Sequence, residues 1–141
     1  MANTKKKGIV TEIETMLAFV RLGYPVLIPY GDNERYDYAV EVNGKFVRIQ
    51  SKHSITTNGG ATFEFDCRGT FYKNGEWAHN QYTENEIDYF ATSFNGQCYL
   101  FPPGVYTSKV KLRLLPTKRK GRQYDSVWAK DYELEKVVKT W

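Results

Sequence analysis

Apolar and polar positions alternate over residues 36–52 on both sides of Asn43-Gly44, with Ala39 and Phe46 as the apolar exceptions on the otherwise polar face. An Asn-Gly pair between two alternating runs predicts a β-hairpin, because its tight turn needs positive φ at both central residues. A two-residue turn fixes the register, which sets Asp37 directly opposite Gln50. One face of the hairpin is then a core face, formed by Tyr38, Val40, Val42, Val47 and Ile49.

The other face of this hairpin carries candidate chemistry. The Cβ atoms of Asp37 and Gln50 are expected roughly 5 Å apart, and Lys52 follows on the same face roughly 7 Å further along. A carboxylate, an amide oxygen and the Ser51 backbone carbonyl are oxygen ligands of the kind Mg²⁺ prefers. With a lysine beside them, they predict a metal-assisted site for phosphodiester hydrolysis.

A helix is predicted before the hairpin, capped by Asn3 or Thr4 and ending at Gly23. Its apolar positions recur at helical spacing, at Ile9, Ile13, Leu17 and Val20. If this stripe packs on the sheet, Glu12 lies at its edge and leans toward Asp37. The alternative for Glu12 is an ordinary solvated carboxylate.

The remaining pattern predicts short strands, two loops and a last helix. The strands are expected over residues 24–29, 62–67, 87–94 and 97–101, and the helix over residues 126–138. Residues 54–61 are predicted to form a mobile polar loop beside the active face. Residues 69–82 are predicted to be an irregular loop that holds Tyr72, Trp77 and Asn80 toward DNA, or else a packed surface loop.

The length of 141 residues favours one domain over residues 1–141. Two cysteines do not make a disulfide framework, and no apolar run suits a signal peptide or a membrane span, so we expect a cytoplasmic protein of bacterial, phage or organellar type. Zinc is disfavoured because Cys67, Cys98, His53 and His79 include no closely spaced pair.

The net charge of +4 is compatible with nucleic acid without proving it. Residues 109–122 contain seven basic residues and no acid, and this is the densest positive segment of the chain. DNA contacts are therefore predicted for Lys109, Lys111, Arg113, Lys118, Arg119, Lys120 and Arg122, with Lys5, Lys6, Lys7 and His53 as further candidates. Solvated lysines, and a structural role for His53, are the alternatives.

An acid followed by a β-turn and an acid-x-Lys strand is the pattern of the PD-(D/E)xK nuclease superfamily, which this chain resembles at Asp37 and Gln50-Ser51-Lys52. Gln50 departs from the usual acid, but intron-encoded homing endonucleases form a branch with Gln-x-Lys. Residues 8–12, 35–37, 48–52, 82–91 and 99–102 also resemble that branch, with Glu12 as the helix acid.

The resemblance implies an α/β (α+β) fold with a restriction-endonuclease-like core, a mixed central β-sheet flanked by helices in an αβββαβ-like order. It also implies a Mg²⁺-dependent double-strand DNA endonuclease in which Mn²⁺ substitutes, and a homo-oligomer, either a dimer or a tetramer. Glu12, Asp37, Gln50 and Lys52 would be catalytic, and Asp37, Gln50, Ser51 and Glu12 would hold the metal. Two alternatives stay open: a nuclease similar to archaeal-type Holliday-junction resolvases, and a DNA-binding module that has lost catalysis at Gln50.

Overall fold

The structure is a computed structural model that describes residues 3–117 and 126–141. The helices are α1 (Thr4–Arg21) and α2 (Leu134–Val138). The strands are β1 (Val26–Leu27), β2 (Tyr38–Val42), β3 (Lys45–Ser51), β4 (Ile55–Thr57), β5 (Thr62–Asp66), β6 (Arg68–Lys73), β7 (Glu76–Gln81), β8 (Tyr89–Phe94), β9 (Gln97–Phe101) and β10 (Lys109–Arg113). Two 3₁₀ turns cover Asn58–Gly60 and Ala129–Tyr132.

The central sheet has five strands in the order β1-β2-β3-β8-β9. It is mixed, because β3 and β8 pair in parallel while its other neighbours are antiparallel. The helices and this mixed sheet confirm the predicted α+β fold. The crossover between the parallel strands β3 and β8 contains strands β4 to β7 in place of a helix.

The hairpin of β2 and β3 has the predicted register. Tyr38 pairs with Ile49 and Val42 with Lys45. Asn43 and Gly44 form the turn with φ of 52° and 78°, which is the left-handed region that an Asn-Gly turn supplies at little cost. The sequence therefore determines the alignment of the two strands that carry the candidate site.

The central sheet is buried on both faces. The first core lies between the sheet and the helices and includes Phe19, Tyr38, Val40, Val42, Ile49, Ala91, Cys98, Leu100, Leu134 and Val138. The second core lies against the three-stranded sheet β10-β5-β4 and includes Phe63, Phe65, Cys67, Ile87, Phe90, Tyr99, Phe101, Val110, Leu112 and Ala129. Burial on both faces explains why β8 and β9 read as nearly continuous apolar runs.

Helix α1 begins as predicted, since the Asn3 side chain accepts a hydrogen bond from the Lys5 backbone at 2.9 Å. The expectation about its inner face was wrong. The buried positions are Thr11, Thr15 and Phe19, and the apolar stripe that starts at Ile9 faces outward. Small threonines let the helix lie close to the sheet, where the Thr15 hydroxyl accepts a hydrogen bond of 2.8 Å from the Tyr38 hydroxyl.

Both predicted loops also need correction. Residues 69–82 are mostly strands β6 and β7, joined by an Asn74-Gly75 turn with positive φ at both residues. Residues 54–61 form β4 and a 3₁₀ turn instead of a mobile loop, because the Thr57 and Thr62 hydroxyls bond at 2.6 Å across the β4–β5 pair.

Two other elements differ from the predictions. The strand expected over residues 24–29 shrinks to β1, which has two residues. The last helix divides into a 3₁₀ turn and α2, because Glu133 is extended and forms a β-bridge with Tyr99.

In the described ranges, 3–117 and 126–141, no helix is long and apolar enough to cross a membrane.

Candidate active site

Asp37 lies just before β2 and is held against the end of β3 by two hydrogen bonds. Its backbone amide donates to the Ile49 carbonyl at 2.8 Å, and its carboxylate Oδ2 accepts from the Ser51 amide at 2.8 Å. These bonds bracket Gln50 and place Asp37 beside it, as the hairpin register predicts. Only one carboxylate oxygen takes part, so Oδ1 is left for another partner.

Glu12 and Asp37 form a pair of partly buried acids, although one lies in α1 and the other just before β2. Burial and the nearby charge of Asp37 raise the pKa of Glu12. Burial also raises the pKa of Asp37, against the opposing effects of the Ser51 hydrogen bond and the Lys52 charge. Two carboxylates whose charged forms are both disfavoured are a suitable environment for a cation.

The two β3 residues beside this pair offer neutral oxygens. The Gln50 side chain is partly buried and makes no hydrogen bond within the described residues. The Ser51 hydroxyl is buried and has no hydrogen-bond partner among the described residues. An unsatisfied buried hydroxyl is unusual in a protein interior, and together with the partly exposed Gln50 amide beside Asp37 it makes this a candidate ligand site.

Lys52 directly follows β3, and its side chain reaches the start of β6. Its backbone amide donates to the Ala91 carbonyl at 2.8 Å, and its ammonium group donates to the Arg68 carbonyl at 2.7 Å. Burial lowers the pKa of Lys52, while Asp66 and Asp37 act in the opposite direction. A partly desolvated ammonium near Asp37 is available to stabilise negative charge on a phosphate.

A family model described as PD-(D/E)XK endonuclease matches residues 2–135, which is most of the chain. The chain belongs to the PD-(D/E)XK endonuclease family. The solved structure of a bacterial homing endonuclease, I-Ssp6803I, is similar with a TM-score of 0.76 and 23% sequence identity. The similarity covers 97% of this chain and 93% of that chain, and it shows a shared fold. None of the curated proteins compared with the chain matches it.

Members of this family generally use divalent metals, and the residues around Asp37 fit one. In residues 3–117 and 126–141, no group of three or more His, Cys, Asp or Glu side chains is placed to bind a metal. A metal site at this position would combine the two acids with neutral oxygens. The free Gln50 amide and the Ser51 carbonyl, next to Asp37, are of the right chemical type for a hard cation.

Arg35 and Tyr82, which were predicted only as parts of the family-like segments 35–37 and 82–91, connect this site to the β6–β7 hairpin. The Arg35 guanidinium lies 4.0 Å from the centre of the Tyr82 ring, and Lys52 lies over the same ring at 5.0 Å. Arg35 also pairs with Glu86 at 2.9 Å and donates to Asn80 Oδ1 at 3.3 Å. The sequence signals for Arg35 were its place in segment 35–37 and its position two residues before Asp37.

The β6–β7 hairpin is a two-stranded sheet of its own. Tyr72 and Trp77 are paired across it, with ring centres 5.3 Å apart, and their side chains are exposed. Asn80 lies on the opposite face, as the alternation of the strand requires, and its side chain contacts Arg35. The structure thus brings together two of the three predicted DNA-contacting residues and separates the third.

The predicted basic positions of β10 share one face, because Lys109, Lys111 and Arg113 alternate with the buried Val110 and Leu112. The three residues line a common cavity, although Lys109 is also paired with Glu64 at 3.4 Å. Four further predicted contacts, Lys118, Arg119, Lys120 and Arg122, lie outside the described residues.

A second basic region surrounds the start of α1. Lys6, Lys7 and His53 line one open groove, whereas Lys5 is exposed nearby on the first turn. His53 Nδ1 lies 3.2 Å from the Thr11 hydroxyl, and its pKa is lowered by burial and by the Lys7 charge. A neutral, bonded imidazole agrees better with a structural role for His53 than with a phosphate contact.

The zinc alternative has no support in the described residues. Cys98 is buried in the core under the helices, and Cys67 is buried in the core on the opposite face of the central sheet. The His79 side chain is 3.3 Å from the Thr70 hydroxyl on the β6–β7 hairpin. These side chains belong to separate parts of the fold and form no common ligand set.

Proposed function

We propose that this member of the family is a Mg²⁺-dependent endonuclease that cleaves double-stranded DNA at a specific sequence. The observation that carries the proposal is the placement of Asp37. Its hydrogen bonds to Ile49 and Ser51 hold its carboxylate beside Gln50, with Glu12 and Lys52 next to it. We further propose that residues 1–141 act as one nuclease domain.

In this proposal, Asp37, Gln50, the Ser51 carbonyl and Glu12 hold the cation. A bound Mg²⁺ supplies charge neutralisation at the phosphate and a water of lowered pKa. Lys52 orients the attacking water and supports the negative charge that develops on the phosphate oxygens. Glu12 replaces the negative charge that Gln50 does not provide. Its pKa is raised by burial and by the nearby charge of Asp37, which agrees with a place beside that acid.

Gln50→Glu tests the role of the amide oxygen. We expect the variant to keep its metal affinity or to bind more tightly at neutral pH, because a third carboxylate adds negative charge beside Asp37 and Glu12. The metal-free variant should be less stable than wild type, since the like charges repel. Calorimetric titration with Mn²⁺ measures the affinity, and absence of binding in both proteins would remove Gln50 from the ligand set.

Sequence-specific cleavage is supported by the β6–β7 hairpin. A two-stranded ribbon fits the major groove of DNA, where the base pairs are distinguishable. The hairpin begins at Arg68, whose carbonyl accepts the Lys52 ammonium, so a ribbon in the groove would be anchored next to the reacting phosphate. This arrangement favours sequence reading over the flat face expected of a junction resolvase.

The basic segment gives a second test of DNA binding. Neutralising Lys118, Arg119, Lys120 and Arg122 together should weaken DNA binding and leave metal affinity unchanged. Each lost phosphate contact reduces the slope of log K against log salt by about 0.9, so four contacts should reduce it by roughly 3 to 4. Affinities for target and random duplexes across a salt series measure both the slope and the discrimination.

The control for this test neutralises Lys136 and Lys139, which lie around α2 and are exposed. If the four-residue variant and wild type have equal slopes of log K against log salt, the segment makes no phosphate contacts and is only a solvated part of the surface. A loss of discrimination alongside the slope would instead show that some of the four residues read bases.

One such site cuts one strand, so cleavage of both strands requires at least two copies. We therefore propose a homo-oligomer, dimer or tetramer. The function as a whole is tested by incubating plasmid libraries with the purified protein and Mg²⁺, then sequencing the ends. Cleavage at one recurrent sequence supports the proposal, cleavage only at four-way junctions supports the resolvase alternative, and binding without cleavage supports the module that has lost catalysis.

A further inference from the structure

The Lys52 ammonium is held by residues that lie outside its own strand. It donates to the Arg68 carbonyl at 2.7 Å and lies 5.0 Å from the centre of the Tyr82 ring. Arg68 begins β6 and Tyr82 directly follows β7, so both contacts come from the end of the β6–β7 hairpin that joins the rest of the fold. We call this end the ribbon base, and it consists of Arg68, Gly69, Asn80, Gln81 and Tyr82.

Arg35 holds the ribbon base in place. Its guanidinium donates to the Gln81 carbonyl at 3.4 Å and to Asn80 Oδ1 at 3.3 Å. The same group lies 4.0 Å from the centre of the Tyr82 ring. One side chain thus contacts three consecutive residues of the ribbon base, and one of these three also contacts Lys52.

Arg35 is itself fixed by an acid. Glu86 Oε2 accepts a hydrogen bond from Arg35 Nη1 at 2.9 Å. The other carboxylate oxygen of Glu86 accepts from the Thr83 amide at 3.1 Å and from the Thr83 hydroxyl at 3.0 Å. Bonds between charged groups are stronger than neutral ones and impose a definite geometry, so the guanidinium has a fixed position over the ribbon base.

Gly69 leaves the space that this arrangement needs. A Cβ atom at this position would lie 2.5 Å from Asn80 Oδ1 and 2.7 Å from Arg35 Nη2. Gly69 lies inside β6 and is not among the residues with positive φ, so no turn requires a glycine there. A glycine within a strand is typical of a place where other groups approach the backbone closely.

We propose that Arg35 is a positioning residue for cleavage: it fixes the ribbon base, and the ribbon base holds the Lys52 ammonium at the candidate active site. Arg35 lies two residues before Asp37, so one side chain connects the segment of the acid to the support of the lysine. The proposal rests on the proposed function, because it takes Lys52 as the catalytic cation.

The contacts of Arg35 favour this role over a contact to a DNA phosphate. Both terminal nitrogens already donate to protein oxygens, which belong to Asn80, Gln81 and Glu86. A phosphate would have to compete with these acceptors and with the Tyr82 ring. Lys52 uses one of its three ammonium hydrogens for the Arg68 carbonyl, so the others can point toward a substrate.

Arg35→Gln tests the positioning role. We expect the maximal single-turnover rate to fall about 10- to 100-fold, since small misplacements of a catalytic group have effects of this size. The Mn²⁺ affinity and the affinity for a random-sequence duplex should stay at the wild-type values. The substrate is a duplex with the sequence recovered from the plasmid libraries, and the matched control is Arg21→Gln, which removes an exposed guanidinium at the end of α1.

A double-mutant cycle shows whether Arg35 acts through Lys52. If it does, Arg35→Gln/Lys52→Met should cleave within about threefold of Lys52→Met alone, because the lysine to be positioned is already absent. Multiplication of the two single effects would overturn the proposal, and so would a wild-type rate for Arg35→Gln. If Lys52→Met itself cleaves like wild type, the catalytic role of Lys52 in the proposed function fails as well.

Gly69→Ala disturbs the same contacts without removing a charge or a hydrogen-bonding group. The added methyl group should displace Asn80 and Arg35 and lower the cleavage rate in the same direction as Arg35→Gln. The control is Gly8→Ala, which places a methyl group in α1 where no atom lies within 4 Å. Circular dichroism verifies the folding of each variant. A folded Gly69→Ala protein with the wild-type rate would count against the proposal.

Nuclear magnetic resonance of labelled lysine tests the positioning without any cleavage. In wild type, the side-chain signal of Lys52 should be displaced upfield of the other lysine signals, because the side chain lies over the Tyr82 ring. The signal that is missing in Lys52→Met identifies it. In Arg35→Gln and Tyr82→Leu the signal should move toward the ordinary lysine position, whereas Arg21→Gln should leave it in place. An unmoved signal in Arg35→Gln would show that Lys52 keeps its place without Arg35.

Discussion

Asp37→Ala and Asp37→Asn should both lose Mn²⁺ binding and should lower DNA cleavage by about 10³-fold or more. The metal's charge stabilisation is worth several kcal/mol, and each 1.4 kcal/mol corresponds to a factor of ten in rate. Asparagine keeps the shape of the side chain and removes its charge. Loss of cleavage in Asp37→Asn therefore reports the missing carboxylate and not a collapsed site.

The two variants should differ in stability. Alanine removes the acceptor of the Ser51 amide, and leaving a buried donor unpaired costs about 1–3 kcal/mol. Asparagine can still accept that bond through its amide oxygen. The pKa of Asp37 is raised in the folded protein. At pH values above this pKa, the charged carboxylate therefore makes the folded protein less stable relative to the unfolded chain. Metal-free Asp37→Asn should thus be at least as stable as wild type at pH 7.

Mn²⁺ titration, single-turnover cleavage and thermal unfolding measure these three properties. The pH dependence gives a further check, since metal binding requires both carboxylates to be ionised. The raised pKa values of Glu12 and Asp37 mean that affinity should begin to fall at a higher pH than for ordinary carboxyl groups. Full cleavage by either variant would refute the site described above.

The core of the site was predictable because it depends on local rules. Asn43-Gly44 sets the turn, the turn sets the register, and the register places Asp37 opposite Gln50. The period of two in strands then decides which side chains share a face, and this assigned Lys52 to the same side. Each step uses residues that are close in sequence.

The inner face of α1 was not predictable in this way. Hydrophobic periodicity marks an apolar stripe, but it does not say whether the stripe meets its own sheet or another chain. Here the sheet is met by Thr11 and Thr15, which bond to polar partners 42 and 23 residues away, His53 and Tyr38. Such pairings between distant residues leave no periodic signal.

The β6–β7 hairpin shows a different kind of miss. Its Asn74-Gly75 turn is of the same type as the first hairpin turn, but both strands are polar and exposed, so they lack the apolar alternation that marks a half-buried strand. A polar ribbon therefore reads as a loop. The turn dipeptide was the signal that would have identified it.

Lys52→Met should lower cleavage by about 10²–10³-fold, comparable with the loss of one group that stabilises transition-state charge. Unlike the Asp37 variants, it should keep its Mn²⁺ affinity, because the ammonium group is not an oxygen ligand. Loss of cleavage with unchanged metal binding would show that the Lys52 ammonium acts in catalysis. Loss of both would show that the substitution disrupts the whole site.

The expected stability of Lys52→Met follows from the sign of its pKa shift. Burial lowers the pKa of Lys52, so the folded protein disfavours the ammonium form relative to the unfolded chain. This cost is fully present at pH values below the folded pKa and disappears as the pH rises above it. Methionine has a similar length and no charge, so the variant should be as stable as wild type or more stable at pH 7.

The stability difference between Lys52→Met and wild type should shrink at alkaline pH, where Lys52 itself becomes neutral. The control is Lys139→Met, which removes an exposed ammonium near the C-terminus and should change neither cleavage nor the pH dependence of unfolding. Urea unfolding at neutral and alkaline pH, with single-turnover cleavage on the same samples, measures both effects. If Lys52→Met loses cleavage and gains stability, the partly buried lysine serves catalysis at a cost in stability. If the variant loses both cleavage and stability, Lys52 is a structural residue bonded to Arg68.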